Sequence, residues 1–397
     1  MHEILIQIGQ EKLQIRIKSR IFAILPTDLL ANAPFMKLLK KIFLGLFATA
    51  MILAIVYMLG PKVETERLTI AYPEVPTDAE ALEQYLAKRE DSVKGMKPGN
   101  EAYIIWADSL NKQKTPYSIV YIHGFGASPM EGDPVHRFLA AHFGANLFVT
   151  RLPEHGISRK NGMEYLTAQD LANAAGEAYQ IGKSLGEKVI VVGTSMGSSL
   201  ALLLASQQAD IHALVLYSPA IRDEKRLLEG FFKPWTFWVM KKTLLDDGVM
   251  NQQREGEKGD YWSEEYHANG YQSLAVLLYS EMNEETFAKV KQPVFMGYYY
   301  KNEQEKDMVV SVSKMQEMFG QLGTAPALKK EMAFPKTGDH VIASSITSQD
   351  WQTVLFQTID FLEKVTQVPA NPAYQQQVEQ MTKANQLLDS IPFEKQN

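Results

Sequence analysis

Ser195 has the surroundings of an attacking group, because it stands between two glycines in the run Gly193-Thr194-Ser195-Met196-Gly197. A serine hydroxyl can attack a carbonyl only if it stands clear of its neighbours on a sharp turn, and the two glycines leave space for that turn and for a crossing strand. Four β-branched residues precede the run and an apolar stretch follows it, as at the junction of a strand and a helix. The pattern predicts a nucleophile elbow, and an ordinary Gly/Ser-rich connection is the alternative interpretation.

His340 is the histidine best placed to act as the base that Ser195 needs. A serine is a poor nucleophile until a base takes its proton, and in a parallel sheet that base must come from a loop at the same edge, after a later strand. His340 follows a late predicted strand and precedes the last predicted helix, so we predict it as the base, with a surface-loop histidine as the alternative. The other seven histidines precede the elbow, open a strand or lie in an insertion: His2, His123, His136, His142, His155, His212 and His267.

The base in turn requires a carboxylate that holds its tautomer. The loop after the strand predicted at 292–300 carries Glu303, Glu305 and Asp307. We favour Asp307, because it precedes an apolar segment, 308–310, that is expected to fix the loop and start the next helix. The two glutamates remain alternatives and are interpreted as solvated charges.

Two backbone amides are candidates for stabilising an oxyanion, which requires donors already aimed at it. One is the N–H of Met196, directly after the nucleophile. The other is the N–H of Phe125, in the loop His123-Gly124-Phe125-Gly126 that follows a predicted strand. Two glycines let this loop approach a substrate closely, and its position upstream of the elbow makes the pattern specific.

The elements that must position these residues alternate between strand and helix. This alternation predicts an α/β fold with a mostly parallel sheet and helices on both faces, in which ligands bind at the carboxyl ends of the strands. Predicted strands span 102–106, 117–122, 146–150, 188–192, 213–217, 292–300 and 330–334, and predicted helices span 134–142, 167–185, 198–207, 310–319 and 349–365. An aromatic-rich insertion at 221–289 is predicted to form a helical cap over the active site, although its aromatic side chains could equally serve to pack the cap onto the body.

From about Ala102 to Val365 the chain resembles α/β-hydrolases of the carboxylesterase and monoacylglycerol-lipase type. The matching motifs are His123-Gly124-Phe125-Gly126, Arg151-Leu152-Pro153-Glu154-His155-Gly156, Gly193-Thr194-Ser195-Met196-Gly197, Asp307-Met308-Val309-Val310 and Gly338-Asp339-His340-Val341. The resemblance implies a triad of Ser195, Asp307 and His340, a covalent acyl-enzyme, no cofactor and no metal, and a cap that shapes the acyl pocket. Residues 302–306 lengthen the acid loop relative to such proteins, and Glu154 stands where they often have glycine.

Composition limits the classes of partner. The 397 residues, 46% apolar and 22% charged, suffice for one large α/β core with insertions or for two modest domains. The net charge of −6 comes with scattered lysines and arginines, so no basic stripe for nucleic acid is present. The absence of cysteine excludes disulfides, thiolate metal sites and thiol nucleophiles. We expect no nucleic-acid partner and no obligate protein partner.

Residues 42–60 predict a membrane span. They form a charge-free apolar stretch of 19 residues, which as a helix rises about 28 Å and nearly matches a bilayer core of about 30 Å. A buried core helix is one alternative, although it would normally show a polar edge. A cleaved signal peptide is the other, with Ala48-Thr49-Ala50 as the cleavage site, but the apolar run continues for ten residues beyond it.

The flank of this span predicts its orientation. Lys37, Lys40 and Lys41 crowd its N-terminal side, which predicts a single pass of the inner membrane with the N-terminus cytoplasmic and the hydrolase domain outside. Met36 opens a complete signal-anchor pattern. We therefore expect Met36 to be the true start, with residues 1–35 an upstream translation without a role.

The expected domain organisation follows from these patterns. It comprises an N-terminal segment (1–35), a signal-anchor helix (36–60), a linker with an amphipathic helix (61–100), an α/β-hydrolase domain (101–366) with its cap (221–289), and a C-terminal helix or tail (367–397). The expected function is hydrolysis of carboxylic esters, either acylglycerols, other lipid-like esters or short-chain esters, through an acyl-enzyme on Ser195. A thioesterase or peptidase with the same triad is one alternative. A catalytically inactive binding protein on the same scaffold is another.

Overall fold

The computed structural model describes residues 33–245 and 248–372 and divides the chain into two units, Met1–Pro61 and Lys62–Asn397. The described part of the first unit is one helix, α1 (Ala33–Met58), none of whose residues is buried. A helix in the core of a soluble domain would bury one face. By length and composition α1 is able to cross a membrane, with a mean hydropathy of 2.1 over 18 residues. The proposed leader before Met36 lies, up to residue 32, outside the described residues.

The second unit is built on a twisted sheet. The described strands, in chain order, are β1 (Tyr103–Ile105), β2 (Thr115–Ile122), β3 (Asn146–Val149), β4 (Gly186–Thr194), β5 (Ala213–Tyr217), β6 (Val249–Asn251), β7 (Glu265–His267), β8 (Val294–Tyr298) and β9 (Lys329–Ala333). Seven of them form the main sheet in the order β1-β3-β2-β4-β5-β8-β9. Every pair in it is parallel except β1 with β3. The predicted mostly parallel α/β sheet is confirmed.

Helices cover both faces of this sheet. The described helices of this unit are α2 (Ala79–Asp91), α3 (Val135–Phe143), α4 (Ala168–Leu185), α5 (Met196–Gln207), α6 (Thr236–Val239), α7 (Lys258–Tyr261), α8 (Asn269–Glu281), α9 (Glu284–Lys289), α10 (Val312–Gln321) and α11 (Trp351–Lys364); α4 and α5 cover one face of the sheet, and α3 and α11 cover the other. Shorter 3₁₀ turns span Pro129–Gly132, Leu228–Phe232 and Pro326–Leu328, and a π-helical turn spans Met240–Leu244.

The central strand β4 shows why the buried strands consist of consecutive apolar residues. Val189 and Val191 join the core on the side of α4 and α5, whereas Ile190 and Val192 join the core on the side of α3 and α11. Successive side chains of a strand point to opposite faces, so a strand that is covered on both faces has no polar position to offer. The elbow is therefore anchored at the centre of the molecule.

The segment expected to be a linker packs against the rest of the second unit. Val63, Leu68 and Ile70 are buried, and Leu68 N–H donates to the carboxylate of Glu281 at 2.7 Å. Each apolar side chain of this size contributes about 1.5–3 kcal/mol when fully buried. The isolated apolar residues of this stretch carry no periodic pattern, so burial is visible only in the tertiary structure.

The cap differs from the expected helical insertion, because it also contains a β-hairpin. Strands β6 and β7 pair antiparallel, with Val249 opposite His267 and Asn251 opposite Glu265. Strands of three residues are too short to show an alternating pattern, and their pairing depends on what packs around them. Of the expected C-terminal helix or tail, residues 373–397 lie outside the described residues.

Candidate active site

Ser195 sits at the junction of β4 and α5 with a strained backbone. Its φ of 54° and ψ of −119° lie in a region that residues with a side chain rarely adopt, at a cost of about 1–3 kcal/mol. The surrounding sheet holds this conformation: Ser195 N–H donates to the carbonyl of Tyr217 at 2.9 Å, and Ala220 N–H donates to the carbonyl of Ser195 at 3.1 Å. The side chain stands at the carboxyl end of the central strand, where the sequence places the attacking group.

The two glycines of the elbow are required because a side chain at either position would collide with neighbouring backbone atoms. A Cβ on Gly197 would lie 1.9 Å from the carbonyl oxygen of Ile122, at the end of the neighbouring strand β2. A Cβ on Gly193 would lie 2.6 Å from the carbonyl oxygen of Gly197. The expected crossing strand is thus β2, and the expected tight turn brings the start of α5 back over the end of β4.

Asp307 and His340 are joined in a buried pair. His340 Nδ1 and Asp307 Oδ2 lie 2.5 Å apart, and the Asp307 side chain is wholly buried. The other oxygen, Oδ1, accepts the N–H groups of Val309 at 2.9 Å and of Val310 at 3.0 Å. With both oxygens engaged, the carboxylate has one orientation, which places Nδ1–H of the imidazole on the Asp307 side and leaves Nε2 as the acceptor.

Residues 308–310 were expected to fix the loop after Asp307 by burying their apolar side chains, and this prediction is wrong for two of the three. Met308 and Val309 are 56% and 55% exposed, and only Val310 is buried. The loop is instead held by the hydrogen bonds from the backbone to Asp307, a short-range geometry that hydropathy does not report. Helix α10 begins at Val312 rather than directly after the acid.

The lengthened acid loop closes on itself. Lys301 N–H donates to the carbonyl of Glu305 at 2.9 Å, and Asp307 N–H donates to the carbonyl of Tyr299 at 3.1 Å. The inserted residues therefore form a turn that returns Asp307 to the end of β8. Glu303 and Glu305 lie on this turn, exposed to solvent, and pair with lysines of the same loop.

Charge around His340 favours its protonated form. Burial by itself lowers the pKa of His340, but the charge of Asp307, the hydrogen bond to it and the charges of Glu131 and Asp339 outweigh burial and hold the pKa above its ordinary value. The backbone is fixed as well, since Ser218 Oγ donates to the carbonyl of His340 at 2.7 Å. Ser218 directly follows the end of β5, where Tyr217 holds the elbow, so the histidine loop and the elbow share one edge of the sheet.

The amides of Phe125 and Met196 have no acceptor among residues 33–245 and 248–372. Gly124 lies against the nucleophile, since a Cβ there would be 3.0 Å from Cβ of Ser195. The same loop is bonded to the cap, where Ser263 N–H donates to the carbonyl of Gly126 at 2.6 Å. Within the described ranges, the two predicted oxyanion donors therefore lie directly after Ser195 and directly after the glycine that packs against it, and neither amide is already hydrogen-bonded.

Two other histidines, His123 and His155, lie near the site and are fully buried. Burial lowers the pKa of His155 to about 4 and lowers that of His123 as well, so both are neutral at pH 7. His123 Nε2 accepts the N–H of Leu152 at 3.0 Å. In the same segment, Glu154 has a φ of 62°, which explains why proteins with this motif often carry glycine there.

The sequence reasoning missed two charged groups beside the site. Glu131 is 2% exposed and accepts the N–H of Gly124 at 2.5 Å. Lys258 of the cap pairs with Asp339, next to the histidine, at 3.0 Å. The available signal for Glu131 was its isolation, because the preceding residues 115–130 contain no Asp, Glu, Lys or Arg.

Within the described ranges, no group of three or more His, Asp or Glu side chains is arranged to hold a metal ion.

Comparison with known proteins agrees with the fold. The model of the Alpha/beta hydrolase family matches residues 119–350. Thermostable monoacylglycerol lipase from Bacillus sp. (strain H-257) is 29% identical over 115 residues, which are 29% of this chain and 45% of that protein. The chain therefore matches less than half the length of that relative.

One solved structure shares the fold, and a second is reported for comparison. A structure reported with LipS and LipT, two metagenome-derived lipolytic enzymes, superposes with a TM-score of 0.54 at 17% identity, over 68% of this chain and 99% of that chain. The monoacylglycerol lipase of Paleococcus ferrophilus superposes with a TM-score of 0.47 at 14% identity, over 68% of this chain and 100% of that chain.

Proposed function

Because the chain belongs to the alpha/beta hydrolase family, we propose that it is a serine hydrolase that cleaves carboxylic esters through an acyl-enzyme on Ser195. The observation that carries the proposal is the buried hydrogen bond between Asp307 and His340, at the sheet edge where the strained elbow presents its serine. A histidine with an ordered carboxylate on Nδ1 has the tautomer of a general base. The similarity to a monoacylglycerol lipase supports acylglycerols or related lipid-like or short-chain esters as the substrate class.

The proposed reaction has two steps. His340 Nε2 takes the proton of Ser195 Oγ as that oxygen attacks the ester carbonyl, and the amides of Phe125 and Met196 stabilise the negative oxygen. The bond to the alcohol then breaks, and the alcohol leaves with the proton held by His340. In the second step His340 takes a proton from water, the hydroxide attacks the acyl group, and the acid is released as the proton returns to Ser195.

A covalent label on the detergent-solubilised full chain tests this function. We expect hydrolysis of p-nitrophenyl esters and loss of that activity on treatment with a fluorophosphonate, with the adduct located on Ser195 by peptide mass spectrometry. A series of acyl chains from acetate to palmitate then separates carboxylesterase from lipase behaviour. Labelling without ester hydrolysis would favour the thioesterase or peptidase alternative. Neither labelling nor hydrolysis would favour a catalytically inactive binding protein.

We also propose that the protein is anchored in the inner membrane by residues 42–60, with the N-terminus cytoplasmic. The length and apolar character of α1 support the anchor, and the three lysines before residue 42 support the orientation. In membranes from expressing cells, we expect the full chain to stay in the pellet after alkaline carbonate extraction, and deletion of residues 36–60 to release it. Protease added to spheroplasts should cleave the hydrolase domain. Recovery of the full chain in the carbonate supernatant would contradict the anchor.

A further inference from the structure

A buried carboxylate that the proposed reaction does not use lies behind the oxyanion loop. Glu131 belongs to the 3₁₀ turn Pro129–Gly132, and its Oε2 accepts the backbone N–H of Gly124 at 2.5 Å. The Tyr121 hydroxyl lies 3.3 Å from the same oxygen and 2.9 Å from Oγ1 of Thr194, the residue before the nucleophile. The carboxylate thus contacts the predicted oxyanion loop directly and is connected to the end of β4 only through the Tyr121 hydroxyl.

The contacts of Gly124 determine the direction of the Phe125 amide. The carbonyl of Gly124 accepts the N–H of Ala127 at 3.3 Å and faces His123 Nδ1 at 2.9 Å. This carbonyl and the N–H of Phe125 belong to one planar trans peptide and point in opposite directions. With the carbonyl held on one side and the Gly124 N–H held by Glu131 on the other, both dihedral angles of Gly124 are set.

The space around Gly124 shows how close this carboxylate comes to the nucleophile. A Cβ built on Gly124 would lie 2.8 Å from Glu131 Oε1 and 3.0 Å from Ser195 Cβ. The carboxylate and the serine side chain therefore both approach Gly124 on the side where a side chain would stand, and only a glycine fits between them. A movement of the loop would change the position of the Phe125 amide relative to Ser195 directly.

Resting on the function proposed above, we propose that Glu131 is a positioning residue for the oxyanion hole. Its carboxylate holds the N–H of Gly124, so that the following amide, that of Phe125, stays free and in place for the substrate oxygen. Oxyanion donors are effective because they are already oriented before charge develops. Glu131 therefore helps to stabilise the transition state through the Phe125 amide, although it does not touch the reacting atoms.

The charge of Glu131 also acts on the histidine. Burial raises the pKa of Glu131 to about 7, against the opposing effects of the Gly124 N–H and of His340. The titratable and charged groups that face the pair are Tyr121, Asp307 and Asp339, the last of which pairs with Lys258. An ionised Glu131 stabilises the protonated form of His340, so its removal lowers the pKa at which His340 becomes an active base.

The test compares two substitutions in the full chain, assayed with p-nitrophenyl butyrate. Glu131→Met removes the acceptor, and we expect kcat to fall about 100-fold with less than a threefold change in KM, because the hole acts on the transition state. Glu131→Gln keeps an oxygen for the Gly124 N–H but removes the charge. We expect it to retain at least a tenth of kcat and to shift the acidic limb of the pH profile to lower pH by about half a unit.

Glu281→Met is the matched control. Glu281 is also 2% exposed and also accepts a backbone N–H, that of Leu68, but it lies outside the site, so the stability loss should be comparable and kcat unchanged. The inference is overturned if Glu131→Met and Glu281→Met have the same kcat. If Glu131→Met does not fold, Glu131→Asp takes its place, because its shorter side chain withdraws the acceptor from the Gly124 N–H, and a wild-type kcat in that variant overturns the inference. Absence of hydrolysis by the wild-type chain is a separate result, which contradicts the proposed function itself.

Discussion

Replacement of Ser195 by alanine is expected to lower kcat for p-nitrophenyl ester hydrolysis by about 10⁶-fold. The nucleophile and its base act as a unit, so loss of the hydroxyl leaves only the binding of the substrate and the oxyanion amides. KM should change little, since the hydroxyl acts on the transition state. The measurement is steady-state hydrolysis across the acyl series, with the fold verified by circular dichroism.

Ser206→Ala controls for loss of a serine hydroxyl in the same helix. Ser206 lies about three turns further along α5, and its Oγ donates to the carbonyl of Leu203 at 2.7 Å. Removing that hydrogen bond costs about 0.5–1.5 kcal/mol of stability and should leave kcat within about twofold. If Ser195→Ala retained more than about 1% of the wild-type kcat, the proposed nucleophile would be wrong.

Asp307→Asn is expected to lower kcat by about 10⁴-fold without unfolding the protein. The amide oxygen can still accept the N–H groups of Val309 and Val310, which now bond to Oδ1. The amide N–H₂ would then face His340 Nδ1 and force it to be an acceptor. The imidazole would carry its proton on Nε2, the atom that has to receive the proton of Ser195.

The pH profile gives this substitution a second readout. In the wild-type chain Asp307 raises the pKa of His340 above its ordinary value, so activity should rise with pH through a limb above about 6.5. Residual activity of Asp307→Asn should rise at a lower pH, because the charge that stabilises the imidazolium is gone. Glu303→Gln removes a charge from the same loop at an exposed position, and its profile should match the wild type. Equal losses in both variants would refute the assignment of Asp307.

Much of the fold followed from local pattern. The strand at Ala213–Tyr217 has the bounds that the sequence predicts, because its apolar run is short and is bounded by polar residues. Helix α4 ends at the predicted Leu185 and begins one residue after the predicted Thr167, which caps it instead. The strand is part of the parallel sheet and the helix packs against it. Their buried positions must be apolar, so the sequence shows a continuous apolar run for the strand and a periodic apolar pattern for the helix.

The elements that were mistaken or missed lack such a pattern. The β6–β7 hairpin of the cap has three residues in each strand, and its pairing is decided by the packing around it. Residues 62–78 look like a charged linker, yet Val63, Leu68 and Ile70 are buried. These isolated apolar residues pack against segments that are distant in the chain, so the local sequence does not indicate their burial.

The sequence by itself determined the alternating α/β architecture, the strand–turn–helix at Ser195 and the candidates His340 and Asp307. These follow from local propensity and from the rule that parallel strands end at one edge. Only the tertiary structure decided which acid faces His340, how the lengthened loop returns Asp307 to β8, and that Glu131 accepts the N–H of Gly124. Such contacts join residues brought together by the sheet and loops, and a one-dimensional pattern records side-chain type but not direction or distance.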